Sequence, residues 1–200
     1  MRSLLCLLLL VPAAGAAQPL TQGERNRAMS ELHATRKQFL DTIDGLAPAQ
    51  WSFKPAGGGW SIAETAEHIA LSEDELFSLV TRKILASPAD RSKRALVKGK
   101  DEQVLKRTAD RSTKFKAPES IVPKGRWTDA ATLAAHFKQS RDRAIEYVKT
   151  TPDELRNHFA PHPAFKELDA YQWILLMAAH TNRHVQQIEE VKAAPGFPKR

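Results

Sequence analysis

Residues 177–192 constrain the chain more than any other stretch. They read Met-Ala-Ala-His-Thr-Asn-Arg-His-Val-Gln-Gln-Ile-Glu-Glu-Val-Lys. Apolar residues recur at Trp173, Met177, Ile188 and Val191, and His180 and His184 fill the two turns between them. Residues four apart on a helix stack on one face, with Cβ atoms about 5–6 Å apart. Both imidazoles therefore point where the apolar stripe points, into whatever the helix buries. Two imidazoles at that spacing can hold one metal ion, the logic of the histidine pair on zinc metalloprotease helices. The rest of the chain has to build a helical core around this pair and supply the missing ligand.

The remaining patterns are helical. Leu32, Phe39, Ile43 and Leu46 mark an apolar stripe over about residues 23–47, with His33 beside it as a boundary residue. Residues 48–59 read as a loop ending in Gly57-Gly58-Gly59. No strand precedes those glycines and no Lys-Ser/Thr ending follows, which excludes a P-loop. Ser61-Ile62-Ala63-Glu64 is a capping box and starts a second helix, with Ile62, Ala66, Ile69, Leu76, Val80 and Ile84 on its core face. His68 lies in its second turn, beside Ile69. Pro88 follows the end of this helix, and residues 101–110 suit a short helix through Val104 and Leu105. Pro118 and Pro123 then enforce an extended path.

A third long helix is expected over about 128–150 on Leu133, Phe137, Ala144, Tyr147 and Val148, with His136 at its flank as a candidate fourth or supporting ligand. Thr151-Pro152-Asp153-Glu154 carries the signature of a further helical start. His158 and His162 fall in a proline-broken loop without fixed spacing. The fourth long helix covers about 168–194, and residues 195–200 form a tail after Pro195-Gly196. Strand alternation is missing throughout. The fold class that follows is all-α: a four-helix bundle over residues 17–194, with a long basic crossover between helices two and three, as needed when consecutive helices run parallel.

The first residues stand apart from this bundle. Arg2, the apolar run from Leu4 to Val11 and the small residues Ala14-Gly15-Ala16 read as a secretory signal peptide, residues 1–16, cut after Ala16. The run is too short to span a bilayer, so no stable membrane anchoring is expected after cleavage. The periplasm or the exterior is the expected address. The single cysteine, Cys6, lies in the leader. A mature chain without cysteine has no disulfide, thiolate ligand or cysteine nucleophile.

The net charge of +7 is localised. Residues 88–126 hold 12 Lys/Arg against 5 Asp/Glu, so the remainder is neutral. Only Phe115 and, at the edge, Trp127 interleave with these charges, too few for a nucleic-acid stacking platform. The segment is read as a solvated basic connection, and no nucleic-acid partner is expected.

Gly59-Trp60-Ser61-Ile62-Ala63-Glu64 with His68, and His180-Thr181-Asn182-Arg183-His184-Val185-Gln186-Gln187-Ile188, resemble the motifs of the DinB-like superfamily. Residues 110–112, 117–119 and 125–127 also look like the middle of its small members. The resemblance spans roughly the whole mature chain. It implies a four-helix bundle with three histidine ligands, which by motif are His68, His180 and His184. It also implies zinc or nickel as the metal, and often a homodimer. Some members transfer low-molecular-weight thiols or isomerise thiol adducts. The thiol-transferring members often carry His-His-Arg-Gly where this chain has Arg183-His184-Val185-Gln186.

Three neutral imidazoles suit zinc, nickel or iron better than magnesium or calcium. Three protein ligands leave a position for water or substrate, the pattern of a catalytic site. Glu64 is a candidate base one turn from His68, and equally the partner in the capping box. Asn182 and Arg183 lie off the inner face and read as solvated. Three readings follow: a metal-dependent hydrolase or thiol-type transferase acting on a small molecule, a helical bundle that binds metal or ligand without catalysis, or a bundle whose histidines are packed and hydrogen-bonded with no metal.

Overall fold

The computed structural model describes residues 19–113 and 115–199. The expected leader with its cleavage site, and Cys6, lie outside the described residues. Four long helices dominate: α1 (Gln22–Ile43), α3 (Ile62–Ser78), α6 (Ala130–Thr150) and α7 (Ala170–Lys192). Each begins at a side-chain cap: Thr21, Ser61, Asp129 and Asp169 each accept a hydrogen bond from the N3 backbone amide. Such caps satisfy donors that the first helical turn leaves open. Between them lie the short helices α2 (Pro48–Ser52), α4 (Arg94–Val97) and α5 (Lys100–Ala109). The last turns of the second long helix widen into a π-helix over Leu79–Ile84.

α1 and α3 each pack against both α6 and α7. Side-chain pairs give the directions. Arg25 reaches the carbonyl of Val148 while Phe39 meets Phe137, so α1 and α6 run antiparallel. Tyr171 reaches the carbonyl of Glu24 while Thr42 meets Glu189, so α1 and α7 run parallel. Asp74 meets His136 while Phe77 meets Tyr147, so α3 and α6 run parallel. A hairpin cannot join parallel neighbours. Residues 85–129 carry the chain back along the bundle, and α5 packs against α7 on the way.

The core has two apolar parts. One gathers Leu32, Val80, Val104, Val148, Leu155, Leu168 and the first half of α7. The other gathers Phe39, Ile43, Trp51, Ile62, Ile69, Phe137 and Ile188. Between them the stripes of all four long helices are interrupted at one level, by Thr35, by Glu73, by Arg141 and by Thr181 with the histidines. These residues form a polar layer across the bundle.

Four expectations need correction. Residues 157–169 hold a small antiparallel hairpin, β1 (Phe159–His162) and β2 (Lys166–Asp169), with Phe159 opposite Asp169 and His162 opposite Lys166. Four-residue strands with prolines at 161 and 163 carry no alternation to read. Phe159, Phe165 and Leu168 seat the hairpin in the core. Thr151 to Glu154 start no helix: Thr151 and Asp153 close a turn through their side chains. Helix one also stops earlier than expected, at Ile43, and the loop after it contains α2.

Candidate metal centre

The polar layer opens on one side onto three histidines. His68 comes from the second turn of α3, and His180 and His184 come from successive turns of α7. The His68 ring centroid lies 5.0 Å from that of His180 and 4.5 Å from that of His184. His180 and His184 are 4.5 Å apart. One nitrogen from each ring lies within 4.8 Å of the other two. His68 and His184 are buried, and His180 keeps part of its surface exposed. Trp60 packs beside His68 at 4.9 Å.

Hydrogen bonds fix which nitrogens face the centre. His68 Nδ1 lies 2.9 Å from the carbonyl oxygen of Ile121. A carbonyl only accepts, so Nδ1 carries the proton and Nε2 keeps its lone pair. His184 Nδ1 lies 2.9 Å from Gln187 Oε1. Arg111 donates to the same oxygen, which establishes the amide's orientation and makes His184 Nδ1 the donor. Metal-binding histidines characteristically donate their other nitrogen in this way.

Burial depresses all three imidazoles. For His68 burial outweighs the Ile121 hydrogen bond, which acts the other way. Burial takes His180 well below the ordinary value, and a proton there would also be repelled by any on His184 or His68 and by the charges of Arg183 and Arg141. Burial, and then His68, brings His184 down to about 3. All three rings are therefore neutral near pH 7, the form that binds metal.

The donor set fits a divalent transition metal. His68 Nε2 and His180 Nε2 are 3.3 Å apart. Two nitrogens held at about 2.0–2.1 Å from a tetrahedral ion are separated by about that distance. Among the described residues, this is the one group of three or more histidine or acidic side chains close enough to share an ion. Glu64 is not part of it. One of its oxygens accepts from the Ser61 amide and the other from Lys54 Nζ at 2.8 Å. Burial works against its charge, but Lys54 and Ser61 prevail and hold the carboxyl below the usual range.

The other histidines serve elsewhere. His136 pairs with Asp74 at 2.7 Å and packs on Trp127. His33 lies beside Arg36, His158 bonds the carbonyl of Ser87, and His162 sits between Phe165 and Trp173. Arg183 corrects the solvated reading. It is buried, because the crossover covers that side of α7, and it donates to the carbonyls of Thr108, Asp110 and Thr113.

Sequence reasoning also passed over the supports of the site. Arg141 is fully buried and uses all five of its donors: Nε and Nη2 on Glu73 at 2.6 and 2.7 Å, Nη1 on the Leu32 carbonyl and Thr35, and Nη2 again on Thr181. Thr181 follows His180 directly, so the ion pair braces the helix turn that presents the ligands. The signal was present in the sequence. Glu73 occupies the slot between Ile69 and Leu76, and Arg141 the slot between Phe137 and Ala144.

Comparison with known proteins gives the family and the fold. The DinB superfamily model matches residues 31–188. The uncharacterized protein YuaE of Bacillus subtilis (strain 168) is 27% identical over 164 residues, 82% of this chain and 96% of that protein. Among solved structures, the chain is similar to YfiT from Bacillus subtilis, described as a probable metal-dependent hydrolase with an unusual four-helix bundle topology. The TM-score is 0.53 at 14% identity, over 90% of this chain and 93% of that one.

Proposed function

The chain belongs to the DinB superfamily, and from that membership and the histidine cluster we propose that it is a metal-dependent hydrolase of a small molecule. His68, His180 and His184 would hold one divalent ion, zinc or nickel before iron. The observation that carries this reading is the convergence of three neutral ring nitrogens within 4.8 Å, two of them presented by fixed Nδ1 donors. The hydrolase character is supported by the description of the YfiT neighbour. A thiol-type transfer on the same ion ranks second, because Arg183-His184-Val185-Gln186 departs from the motif of the thiol-transferring members.

A bound divalent ion would supply Lewis acidity and bring a water's pKa toward neutrality. The protein's own contribution is positional. Ile121 and Gln187 hold two ligands in the binding tautomer, and Trp60 covers His68. The three-histidine set leaves a coordination position for water or substrate. Glu64 is engaged by Lys54 and its own cap, so the proton released by that water would pass to solvent or to the substrate. The leader pattern supports an exported protein, and the family resemblance supports a homodimer.

Metal content of residues 17–200, expressed without a histidine tag, tests the reading. We expect about one zinc, nickel or iron per chain, with loss in His68→Ala and His184→Ala. The loaded protein is then assayed against ester, amide and thiol-transfer substrates. No metal after reconstitution overturns the proposal. Metal without turnover leaves a non-catalytic binding bundle.

A further inference from the structure

The crossover does more than return the chain. Both hydrogen-bond acceptors that orient ligand histidines depend on it. Ile121 lies in a 3₁₀ turn, Glu119–Ile121, bracketed by Pro118 and Pro123. Just beyond, three successive backbone amides converge on one carboxylate. Lys124, Gly125 and Arg126 donate to Glu67 at 2.8, 2.9 and 3.2 Å. Gly125 has φ +75°, the left-handed conformation that lets consecutive amides point into one concavity. Glu67 is 2% exposed and precedes His68 on α3. One helix turn thus holds the loop through Glu67, and the loop returns the Ile121 carbonyl to His68.

A second chain of contacts serves His184. Arg111 grips Glu190 with two hydrogen bonds, at 2.6 and 2.7 Å, and donates to Gln187 Oε1 at 3.2 Å. Gln187 accepts from His184 Nδ1. Without Arg111, the Gln187 amide is free to turn its NH₂ group toward His184, which would force the proton to the other ring nitrogen.

We propose that the crossover stretches 110–113 and 118–126 are a positioning element of the metal centre, with Glu67 and Arg111 as its positioning residues. Glu67 sets His68 and Arg111 sets His184, each by holding an acceptor on Nδ1 so that Nε2 is the lone pair presented to the ion. The inference rests on the metal-binding reading above for its consequence, but its structural content is the tautomer of two rings in the metal-free protein.

The test is long-range ¹H–¹⁵N imidazole spectroscopy on the metal-free chain, followed by zinc competition against a chromogenic chelator. Native protein should show His68 and His184 each as a single Nδ1–H tautomer. In Glu67→Ala the His68 ring should become a tautomer mixture while His184 stays unchanged, and in Arg111→Met the reverse should hold. Zinc affinity should fall roughly 10–100-fold in each, the usual cost of losing an outer partner of a ligand. Glu67→Gln, which keeps one acceptor, should fall between Glu67→Ala and native. Leu155→Ala, far from the site, is the control for lost stability and should leave both rings and zinc affinity as in native protein. Rings that keep the Nδ1–H form in both variants overturn the proposal, whatever the affinities do. Should Glu67→Ala fail to fold, Arg111→Met decides alone. A native chain that binds no zinc would sink the proposed function, and the ring spectra would still decide this inference.

Discussion

Arg141 and Arg156 are both drawn out of water by carboxylates, one inside the polar layer and the other near the hairpin end of the bundle. Arg141 meets a single carboxylate, Glu73, and both side chains are essentially without exposed surface. Arg156 meets three: Glu24 of α1 at 2.8 Å, Asp101 of α5 at 2.6 Å and Asp169 at the start of α7 at 3.0 Å. It also lies 3.9 Å over the Tyr171 ring and keeps 19% of its side chain exposed. The first arrangement is a sealed pair whose members have no alternative partner in water. The second is a hub that ties three chain segments together at the edge of solvent. Desolvation is the larger cost for the sealed pair, and it falls in full on whichever partner is left alone. The sealed pair stands beside the histidines, where a fixed helix register matters. The hub stands where elements from distant parts of the sequence have to be collected.

The sharpest way to break this comparison is to remove one member of each group. Arg141→Ala leaves Glu73 buried and unpaired, and denaturant unfolding should show a loss of about 3–5 kcal/mol. The double change Glu73→Leu with Arg141→Met should recover that loss, because it removes both charges from the apolar surroundings. The recovered protein should still bind metal less well than native if the pair braces the Thr181 turn. A double variant as unstable as Arg141→Ala would show that the pair contributes net stability rather than register.

Arg156→Ala should cost less, about 1.5–3 kcal/mol, the range for hydrogen bonds to charged groups. Glu24 and Asp101 keep 27% and 23% of their side chains exposed, so water can reach them once the guanidinium is gone, while Asp169 is buried but keeps its hydrogen bond from the Gln172 amide. The same measurement decides: a loss larger than that of Arg141→Ala would reverse the ranking and make the hub the keystone of the fold. Metal content should be unchanged in this variant, because the hub lies at the other end of the bundle from the histidines.

How much of this could be read from the sequence follows from the same contrast. The long helices and the histidine pair were legible because periodicity and capping are local. His68 was legible only by resemblance to a family motif, since a lone histidine beside Ile69 has no spacing to interpret. Glu73 and Arg141 each sat in an apolar slot, yet a charged residue in a stripe reads as an interruption until its partner is known. That partner is 68 positions away. Arg156 gave no signal at all, because it lies in an irregular turn and its partners come from three separate elements. The hairpin was lost for a similar reason: its strands are short, and it is held by Phe159, Phe165 and Leu168 entering a core built from elsewhere. The role of the crossover in the site depends on main-chain atoms, Ile121 O and the amides of 124–126, which residue types do not encode.

Acid separates the two regions with smaller steps. In metal-free protein the three imidazoles are held below their ordinary value by burial, His184 to about 3. The unfolded chain takes up protons near pH 6.5 that the folded histidines refuse. Stability is therefore full above that pH and falls as pH drops toward 3, by at most about 1.4 kcal/mol per pH unit for His184. The hub behaves otherwise. Burial opposes the charge of Asp101, but hydrogen bonds from Arg156 and Gln172 hold its carboxyl below the ordinary value of 3.8. Its contribution is thus present above pH 3.8 and lost only below it. Burial takes Asp169 the other way, up to about 6. That favours the folded state at low pH, and the advantage is lost as pH rises through about 6. Amide exchange followed from pH 7 to pH 4.5 should show α3 and α7 loosening around the histidines while the ends of α1 and α5 near Arg156 stay protected. Saturating zinc should shift the first loosening to lower pH, because the ion competes with the protons. Loosening that starts at the hub would mean that its carboxylates, rather than the neutral histidines, set the acid limit of the fold.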